Sequence, residues 1–442
     1  MADKPWTIED SSGPKRDMTA LARALYPIHR TLVNRGYADS LDIIRRQLSL
    51  DVLEYPSGTA VWDWVIPHSW DVNEAYIEDS RGRRLVDFAD NNLHLSAYSV
   101  PFQGTVSRAE LLEHINSLED RPDAIPYNYL YYRRDWQFNV AHRDLANFTD
   151  DQYRVHVDVT EQPGTLKIGC CHLPGASKKE LLFSTYLCHP SMANDNLSGV
   201  VVAVELFKLL SKMQQRRYSY RLIIVPETIG AIAYLAHHED SLDDVKGVYV
   251  VYYCGDRGPI HYKRSFRKDA LIDRVATHVL RHYTNGAVVR KWKPFGSDER
   301  QYSAPGVRLP AGGFTRTPAG EFREYHTSRD TLDVLSEDAL LDSVQTLYRF
   351  VQVWERDVTY ANLYKGEPCL AKHQIAYPSH HEDKADEASY LVKKLMHDFD
   401  GTHSLLDMAD KWDAPFDQVE LIAKQFASAG LVKPAEVRER GT

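Results

Sequence analysis

The chain has 442 residues, with 53 Lys and Arg against 62 Asp and Glu, so its formal net charge is −9 at pH 7. This length predicts two or three domains, and a composition with 43% hydrophobic and 26% charged residues excludes disordered and fibrous proteins. The acidic balance argues against a nucleic-acid-binding protein as a whole, because phosphate contacts need clustered Lys and Arg. No apolar run reaches the roughly 18 residues that a membrane helix needs.

The cysteines and the first residues predict a cytoplasmic protein. The five cysteines form no evenly spaced framework, and three lie in apolar runs, which is typical of reduced core residues rather than disulfides. Residues 1–18 lack the apolar stretch of a signal peptide.

The apolar pattern changes along the chain, and each change predicts a domain boundary. Residues 17–52 show helical spacing and are expected to form N-terminal helices of the catalytic domain. Residues 53–160, rich in short runs of Val, Tyr, Trp and Phe between turns, predict a β-rich inserted domain. Residues 161–369 alternate apolar strands with helices, which predicts an α/β fold with a mostly parallel or mixed sheet covered by helices. Residues 370–442 show three short helices and a strand, which resembles a winged helix.

Metal-competent side chains follow three successive predicted strands of the 161–369 domain. His189 follows LLFSTYLC, Glu227 follows RLIIVP, and Asp256 follows GVYVVYYC. Asp195 comes shortly after the first strand end, and His326 precedes a predicted helix further along. Function in open α/β sheets lies at the carboxyl ends of strands, so these side chains are expected to converge. Imidazoles with carboxylates make a nitrogen and oxygen ligand set that suits Zn²⁺.

Each of these residues alone has a plainer interpretation. A single His after a strand is more often a loop residue, and Asp195 or Glu227 could cap the helix that follows it. Asp256 beside Gly255 could belong to a simple turn. Their joint occurrence at successive strand ends favours a metal site over separate coincidences.

The motifs around these residues resemble the zinc-dependent aminopeptidases with a phosphorylase/hydrolase-like fold, whose sites carry two zinc ions that act together. The motifs are HPSMANDNLSG, PETIG, GDRG, SDERQY and YHTSRDTLD. Through stretches such as DWVIP, IPYNYLYY and PETIGAIAYL, nearly the whole chain is similar to a bacterial group with an aminopeptidase-like domain. In that group a β-rich module is set into the peptidase domain and a winged-helix-like domain follows, so the resemblance implies this fold.

The resemblance also implies the metal ligands. His189 corresponds to the histidine ligand of the first zinc, and Asp256 to a carboxylate ligand of the same ion. Asp195 corresponds to the aspartate that bridges both metals, and His326 to the histidine ligand of the second zinc.

The same resemblance implies the catalytic groups. Glu227 corresponds to the general base that deprotonates the metal-bound water, and Tyr325 to a tyrosine that hydrogen-bonds the tetrahedral oxyanion. The family's second glutamate, a ligand of the second zinc, falls on Thr228, whose neutral hydroxyl is a poor zinc ligand. We therefore expect one tightly bound zinc and leave undecided whether a second zinc binds. Glu227 is then either the general base or a ligand of the metal.

Charged residues further along indicate where a substrate binds. Arg264, within the basic run 262–268, is a candidate partner for a substrate carboxylate, although such runs are more often solvated surface. Asp298 and Glu299 lie where the related enzymes bind the amino end of the substrate, and Glu299 stands in place of a usual histidine.

The function expected from these residues is zinc-dependent hydrolysis of a peptide or small amide. The alternatives are a single-zinc enzyme for a specialised peptide-like or modified small molecule, and a non-catalytic metal-binding or regulatory protein. Residues 370–442 carry nine Lys and Arg against thirteen Asp and Glu, so we interpret this domain as an interaction or dimerisation module rather than a DNA-binding one. We expect a homo-oligomer without nucleic-acid or membrane partners.

Overall fold

The structure is a computed structural model that describes residues 12–267, 269–375 and 387–435. The chain divides into two compact units. In their described parts, the large unit comprises residues 12–273 and 288–345, and the small unit comprises residues 274–287 and 346–435.

The strands are numbered in chain order. Those of the large unit are β1 Asp51–Pro56, β2 Ala60–Val61, β3 Trp64–Val65, β4 Ser69–Glu78, β5 Arg84–Asp87, β6 Phe102–Ser107, β7 Ile115–Asn116, β8 Phe138–Asn139, β9 Gln152–Gln162, β10 Thr165–Leu173, β11 Glu180–Tyr186, β12 Ser219–Val225, β13 Val245–Val251, β14 His261–Lys263, β15 Val288–Arg290 and β16 Ala311–Thr315. Those of the small unit are β17 Thr359–Asn362, β18 Asp400–Ser404 and β19 Val432–Pro434.

The α-helices are numbered in the same way. They are α1 Ser12–Leu25, α2 Arg35–Arg45, α3 Arg108–Glu113, α4 Gly199–Ser211, α5 Ile229–His237, α6 Leu271–Tyr283, α7 Glu299–Tyr302, α8 Glu337–Arg356, α9 Glu387–Leu395, α10 Leu405–Trp412 and α11 Phe416–Ser428. Among the described residues, none of these helices combines the length and the apolar character needed to cross a membrane.

The main sheet has eight strands in the order β1-β10-β12-β11-β13-β16-β14-β15. The four central strands β12, β11, β13 and β16 run parallel to one another. At one edge β1 and β10 pair antiparallel with their neighbours. At the other edge β14 pairs antiparallel with β16 and parallel with β15. Every residue of β11 is buried, because helices such as α4 pack against the centre of the sheet. A strand covered on both faces reads as a continuous apolar run. The predicted mixed α/β fold with a helix-covered sheet is confirmed.

A second, antiparallel sheet has the order β5-β4-β9-β6. It lies in the range 53–160 that the sequence assigns to the β-rich insert, except that β9 continues to Gln162. Its two long strands, β4 and β9, pair along the whole of β4. Trp70 on β4 is only 1% exposed, and its indole N–H donates to the Ser99 carbonyl at 2.8 Å. Strand β1, which begins two residues before this range, instead pairs with β10 in the main sheet.

The small unit contains an antiparallel sheet in the order β18-β17-β19. The Ser404 hydroxyl caps α10 by accepting the Asp407 backbone N–H, and α11 packs against α9, α10 and β19. The rings of Phe399 and Phe426 lie 5.3 Å apart in the core of this unit. These elements confirm the predicted winged-helix-like domain. The sequence placed the start of this domain at residue 370, whereas its strand β17 already lies at Thr359–Asn362.

The buried carboxyl group of Asp357 makes the stability of the folded protein depend on pH, and this dependence can be measured. Its carboxylate accepts the Leu406 backbone N–H at 2.9 Å, and burial raises its pKa from 3.8 to about 6. A raised carboxyl pKa stabilises the folded state when the group is protonated, so the contribution is complete below about pH 4 and is lost as the pH rises through 6. We expect Asp357→Asn to be more stable than the wild type near pH 7.5 by about 1–2 kcal/mol, with no gain near pH 4.

Chemical denaturation of the full chain at about pH 4.5, 6 and 7.5 measures this difference. Asp400→Asn is the control, because hydrogen bonds from Thr402 lower the pKa of Asp400 to about 2 in spite of its partial burial. This control should lose stability by a similar amount at all three pH values. If the difference in the free energy of unfolding between Asp357→Asn and the wild type does not grow with pH, the buried carboxyl is not the cause of the pH dependence.

Candidate metal and catalytic site

The turn after β11 carries the first residues of the site. The strand ends at Tyr186, and a buried segment containing His189 and Asp195 leads into α4. The buried guanidinium of Arg30 holds this segment in place. Its Nε donates to the Leu187 carbonyl and its Nη2 to the His189 carbonyl, each at 2.9 Å.

The carboxylate of Asp195 is fully buried and is fixed by its neighbours. Its Oδ1 accepts the Tyr186 hydroxyl at 2.6 Å, and its backbone N–H donates to Asp330 Oδ2 at 2.8 Å. Its Oδ2 has no partner of regular hydrogen-bond geometry among the described residues, although His326 Nε2 lies 3.0 Å away. Burial opposes ionisation, but His189 and His326 lower the pKa of Asp195 overall, so the group is charged at neutral pH.

His189, Asp195 and His326 form a cluster in which one ligand atom of each lies within 4.8 Å of the others. The ring of Tyr127 packs edge-on against both imidazoles, with centroid distances of 5.0 and 5.3 Å. Burial lowers the pKa of His189 to about 4, so this imidazole is neutral at pH 7 and offers a lone pair. Imidazoles beside a buried carboxylate oxygen without a partner fit a zinc-type ion.

Glu227 follows β12 and reaches the same cluster. Its Oε2 lies 3.9 Å from His189 Nε2, and its Oε1 accepts the Ser297 hydroxyl at 2.9 Å. Burial, followed by the nearby charge of Asp195, raises the pKa of Glu227. A carboxylate with a raised pKa beside metal-competent ligands is suited to accept and return a proton.

Thr228 is engaged by protein groups on both its backbone and its side chain. Its backbone N–H donates to Asp298 Oδ1 at 2.7 Å, and its hydroxyl accepts from Arg300 Nη2 at 2.9 Å. A guanidinium cation therefore contacts the position that the resemblance compares with a ligand of the second zinc. Within the described part of the chain, one cluster of three ligands is brought together.

The structure does not bring Asp256 into that cluster. Strand β13 ends at Val251, so Asp256 lies five residues beyond the sheet, whereas the sequence suggested a strand that continued to Cys254. Its Oδ1 accepts the Thr317 hydroxyl at 2.5 Å and the Gly258 N–H at 2.7 Å. Its Oδ2 accepts from Asn194 Nδ2 at 3.1 Å and from the Thr317 N–H at 3.2 Å. These contacts fix the surrounding loops and do not support Asp256 as a metal ligand.

Tyr325 lies directly beside the cluster. Its ring stacks on the imidazole of His326 with a centroid distance of 4.0 Å, and it lies 5.9 Å from the ring of Tyr253. Burial raises the pKa of Tyr325, so its hydroxyl remains a hydrogen-bond donor at neutral pH.

The three residues predicted to bind substrate, Arg264, Asp298 and Glu299, are partly or fully buried in the structure. Asp298 and Glu299 are fully buried. Glu299 Oε1 accepts the Tyr252 hydroxyl at 2.9 Å and forms an ion pair with Lys263, so a substrate amine would have to compete with an existing cation. Arg264 is half-buried, and its Nε has no hydrogen-bond partner within the residues described.

Further residues, not singled out from the sequence, hold the site together: Arg30, Tyr127, Tyr186 and Asp330. Two of these residues carry a signal in the sequence. Tyr186 has a polar hydroxyl at the end of an apolar strand, and Asp330 belongs to the YHTSRDTLD motif. Tyr127 belongs to the β-rich range, and its backbone N–H donates to the His326 carbonyl at 2.8 Å. Its proximity depends on tertiary packing, for which the sequence carries no local signal.

Comparisons with known proteins cover nearly the whole chain. Residues 19–357 match the family model described as a domain of unknown function (DUF4910), and residues 358–434 match one described as a winged helix-turn-helix. A protein of Clostridium acetobutylicum, provisionally named a polysaccharide biosynthesis protein with an aminopeptidase-like domain, is 37% identical over 427 residues. The match spans 96% of this chain and 98% of that protein.

Solved structures show the same fold. A crystal structure from Clostridium acetobutylicum, provisionally described as a peptidase, has a TM-score of 0.89 at 36% identity and covers 96% of this chain and 97% of that one. The zinc aminopeptidase BSAP from Bacillus subtilis has a TM-score of 0.59 at 13% identity, over 78% of this chain and 95% of that one, which is a likeness of fold. The chain therefore belongs to the DUF4910 family, with an aminopeptidase-like fold followed by a winged helix-turn-helix.

Proposed function

We propose that the protein is a zinc-dependent hydrolase of peptide or amide bonds, with His189, Asp195 and His326 as the metal ligands. The observation that carries this proposal is the buried Oδ2 of Asp195, which has no regular partner in the described residues and lies beside two imidazoles. Zinc bound there would lower the pKa of a water molecule and polarise the carbonyl of the scissile bond.

Glu227 is the group placed to move the proton. Its Oε2 lies on the side of His189, while the Ser297 hydroxyl holds Oε1. A carboxylate with a raised pKa can accept a proton from water near neutral pH and return it to the leaving amine. We therefore assign Oε2 of Glu227 as the general base and Ser297 as a positioning residue.

Tyr325 completes the proposed machinery as a hydrogen-bond donor to the developing oxyanion. Its stacking on His326 fixes the ring beside the ligand cluster, and its raised pKa keeps the hydroxyl protonated. A donor fixed before the reaction stabilises the transition state without reorganisation. A protein that only binds metal has no need for a base and an oxyanion donor at the same cluster.

A specialised small-molecule amide is the second candidate substrate. The contact between Arg300 and Thr228 departs from a two-metal peptidase site and favours a single zinc. The 37% identical relative is provisionally named for polysaccharide biosynthesis, so an amide on a sugar precursor fits this candidate.

We propose an interaction or dimerisation role for the small unit. Helix α11 contains Lys424 as its single cation, and this lysine pairs with Glu420 at 2.6 Å. The Tyr283 hydroxyl donates to Asp417 in the first turn of the same helix at 2.7 Å. A helix that reads DNA normally presents several unpaired cations to phosphates.

Replacing the proposed base should separate catalysis from metal binding. We expect Glu227→Gln to keep its zinc and to lose turnover of amino-acid amides by at least about a hundredfold, because Gln cannot accept the proton. Metal analysis and initial rates on the same preparation measure both effects.

Glu119→Gln, on the exposed surface, is the matched control and should behave as the wild type. Ser297→Ala should give a smaller loss of rate, of about tenfold, because it removes only the positioning hydrogen bond. Turnover by Glu227→Gln close to that of the wild type would rule out this residue as the base.

The ligand assignment predicts how much zinc the protein holds. We expect one zinc per chain by elemental analysis after dialysis, and loss of that zinc in His326→Ala. Asp256→Asn should retain the zinc, because its carboxylate contacts Asn194, Gly258 and Thr317 rather than the cluster.

Circular dichroism of each variant checks that it is folded. Two zinc ions per wild-type chain, or a folded Asp256→Asn protein that has lost its zinc, would contradict the assignment.

A further inference from the structure

A cavity of about 490 Å³ lies in the large unit, next to the segment that follows β13. Tyr252 and Tyr253 from that segment form part of its lining. Its lining also contains four cations, which are Lys263, Arg290, Lys291 and Lys293.

Much of the positive charge in this cavity has no carboxylate beside it. Arg290 pairs with Glu321 at 2.8 Å, and Lys263 pairs with Glu299. Lys291 and Lys293 are exposed and form no ion pair with the residues that the structure describes. Since the whole chain carries a net charge of −9, a cationic cavity is a local departure that attracts anions.

The side of the cavity that contains Lys263 is tightly packed. The Lys263 ammonium donates to Glu299 Oε1 and to the Phe295 carbonyl, which leaves one of its three N–H donors for a ligand. At Gly296, where φ is +116°, a Cβ atom would lie 2.6 Å from both Lys263 Nζ and Glu299 Oε1. A glycine is therefore needed there for the ion pair to occupy its place.

The cavity shares a wall with the proposed catalytic cluster. The ring of Tyr253 lies 5.9 Å from that of Tyr325, the proposed oxyanion donor. The ring of Tyr252 lies 6.3 Å from that of Tyr186, whose hydroxyl binds Asp195. Because Tyr252 and Tyr253 line the cavity and contact side chains beside the cluster, a molecule in the cavity would lie next to the cluster.

We propose that this cavity binds an anionic group, a phosphate or a carboxylate, of the substrate whose amide bond is cleaved at the cluster. This inference rests on the proposed function and narrows the substrate class to anionic small molecules. The volume suits a sugar-sized group rather than a single ion. Lysine ammonium groups bind phosphate and carboxylate as point charges, so Lys291 and Lys293 supply the selectivity for anions.

Binding can be measured without turnover by using the Glu227→Gln protein loaded with zinc. Calorimetry at low ionic strength compares three probes that share an acetamido sugar: N-acetylglucosamine, N-acetylglucosamine 6-phosphate and N-acetylmuramic acid. We expect at least one anionic probe to bind about tenfold or more tightly than the neutral sugar. The tighter of the two identifies phosphate or carboxylate as the group, and added salt should weaken its binding.

Lys291→Ala/Lys293→Ala in the same background should lose about tenfold in affinity for that probe and leave the neutral sugar unaffected. Lys178→Ala/Lys212→Ala, which removes two exposed lysines of the same unit, is the matched control and should change neither. Equal affinity for the three probes, no binding of either anionic probe, or equal losses in the two double variants would overturn the inference.

These outcomes are distinct from a failure of the proposed function. Since affinity is read without turnover, selective binding through the two lysines would stand even if the wild type hydrolysed no amide. Conversely, hydrolysis of neutral amides together with equal binding of all three probes would overturn the cavity assignment alone.

Discussion

The proposed site depends on one buried carboxylate, that of Asp195, whose Oδ1 is hydrogen-bonded and whose Oδ2 has His326 beside it without regular hydrogen-bond geometry. The Tyr186 hydroxyl binds Oδ1, and the Asp330 carboxylate accepts the backbone N–H groups of Asn194 and Asp195 at 2.7 and 2.8 Å. An ionised group in this environment is costly unless a cation completes its coordination. The imidazoles of His189 and His326 lie beside this carboxylate, so the three side chains are the proposed ligands of such a cation.

Positive charge from Arg300 lies near Glu227 and is in keeping with the single metal of the proposed mechanism. Arg300 binds the Thr228 hydroxyl, and its charge opposes the rise in the pKa of Glu227. This guanidinium thereby supplies positive charge on the side of Glu227, the proposed general base. Lys291 and Lys293 add positive charge to the proposed anion cavity, while the chain as a whole carries a net charge of −9.

The fold follows from local sequence patterns, and so does part of the predicted site, because the carboxyl ends of parallel strands meet at one edge of a sheet. This rule predicted His189 and Glu227 as site residues, and the structure has them shortly after the ends of β11 and β12. It predicted Asp256 beside them, but β13 ends at Val251 and the apolar residues YYC that follow lie outside the strand. The basic run at 262–268 was expected to contact the substrate, and among its described residues Lys263 lines the proposed anion cavity. The remaining lysines, like Tyr127, come from distant segments, and their placement depends on tertiary packing.

Anomalous diffraction at the zinc edge, from crystals of the zinc-loaded protein, tests the central claim most directly. The account predicts one strong peak within coordination distance, about 2.0–2.2 Å, of an imidazole nitrogen of His189 and of His326 and of Oδ2 of Asp195. Oε2 of Glu227 should lie near this peak without coordinating it, and Asp256 should keep its contacts with Thr317. A peak bound by Asp256, or no peak at the cluster, would contradict the account.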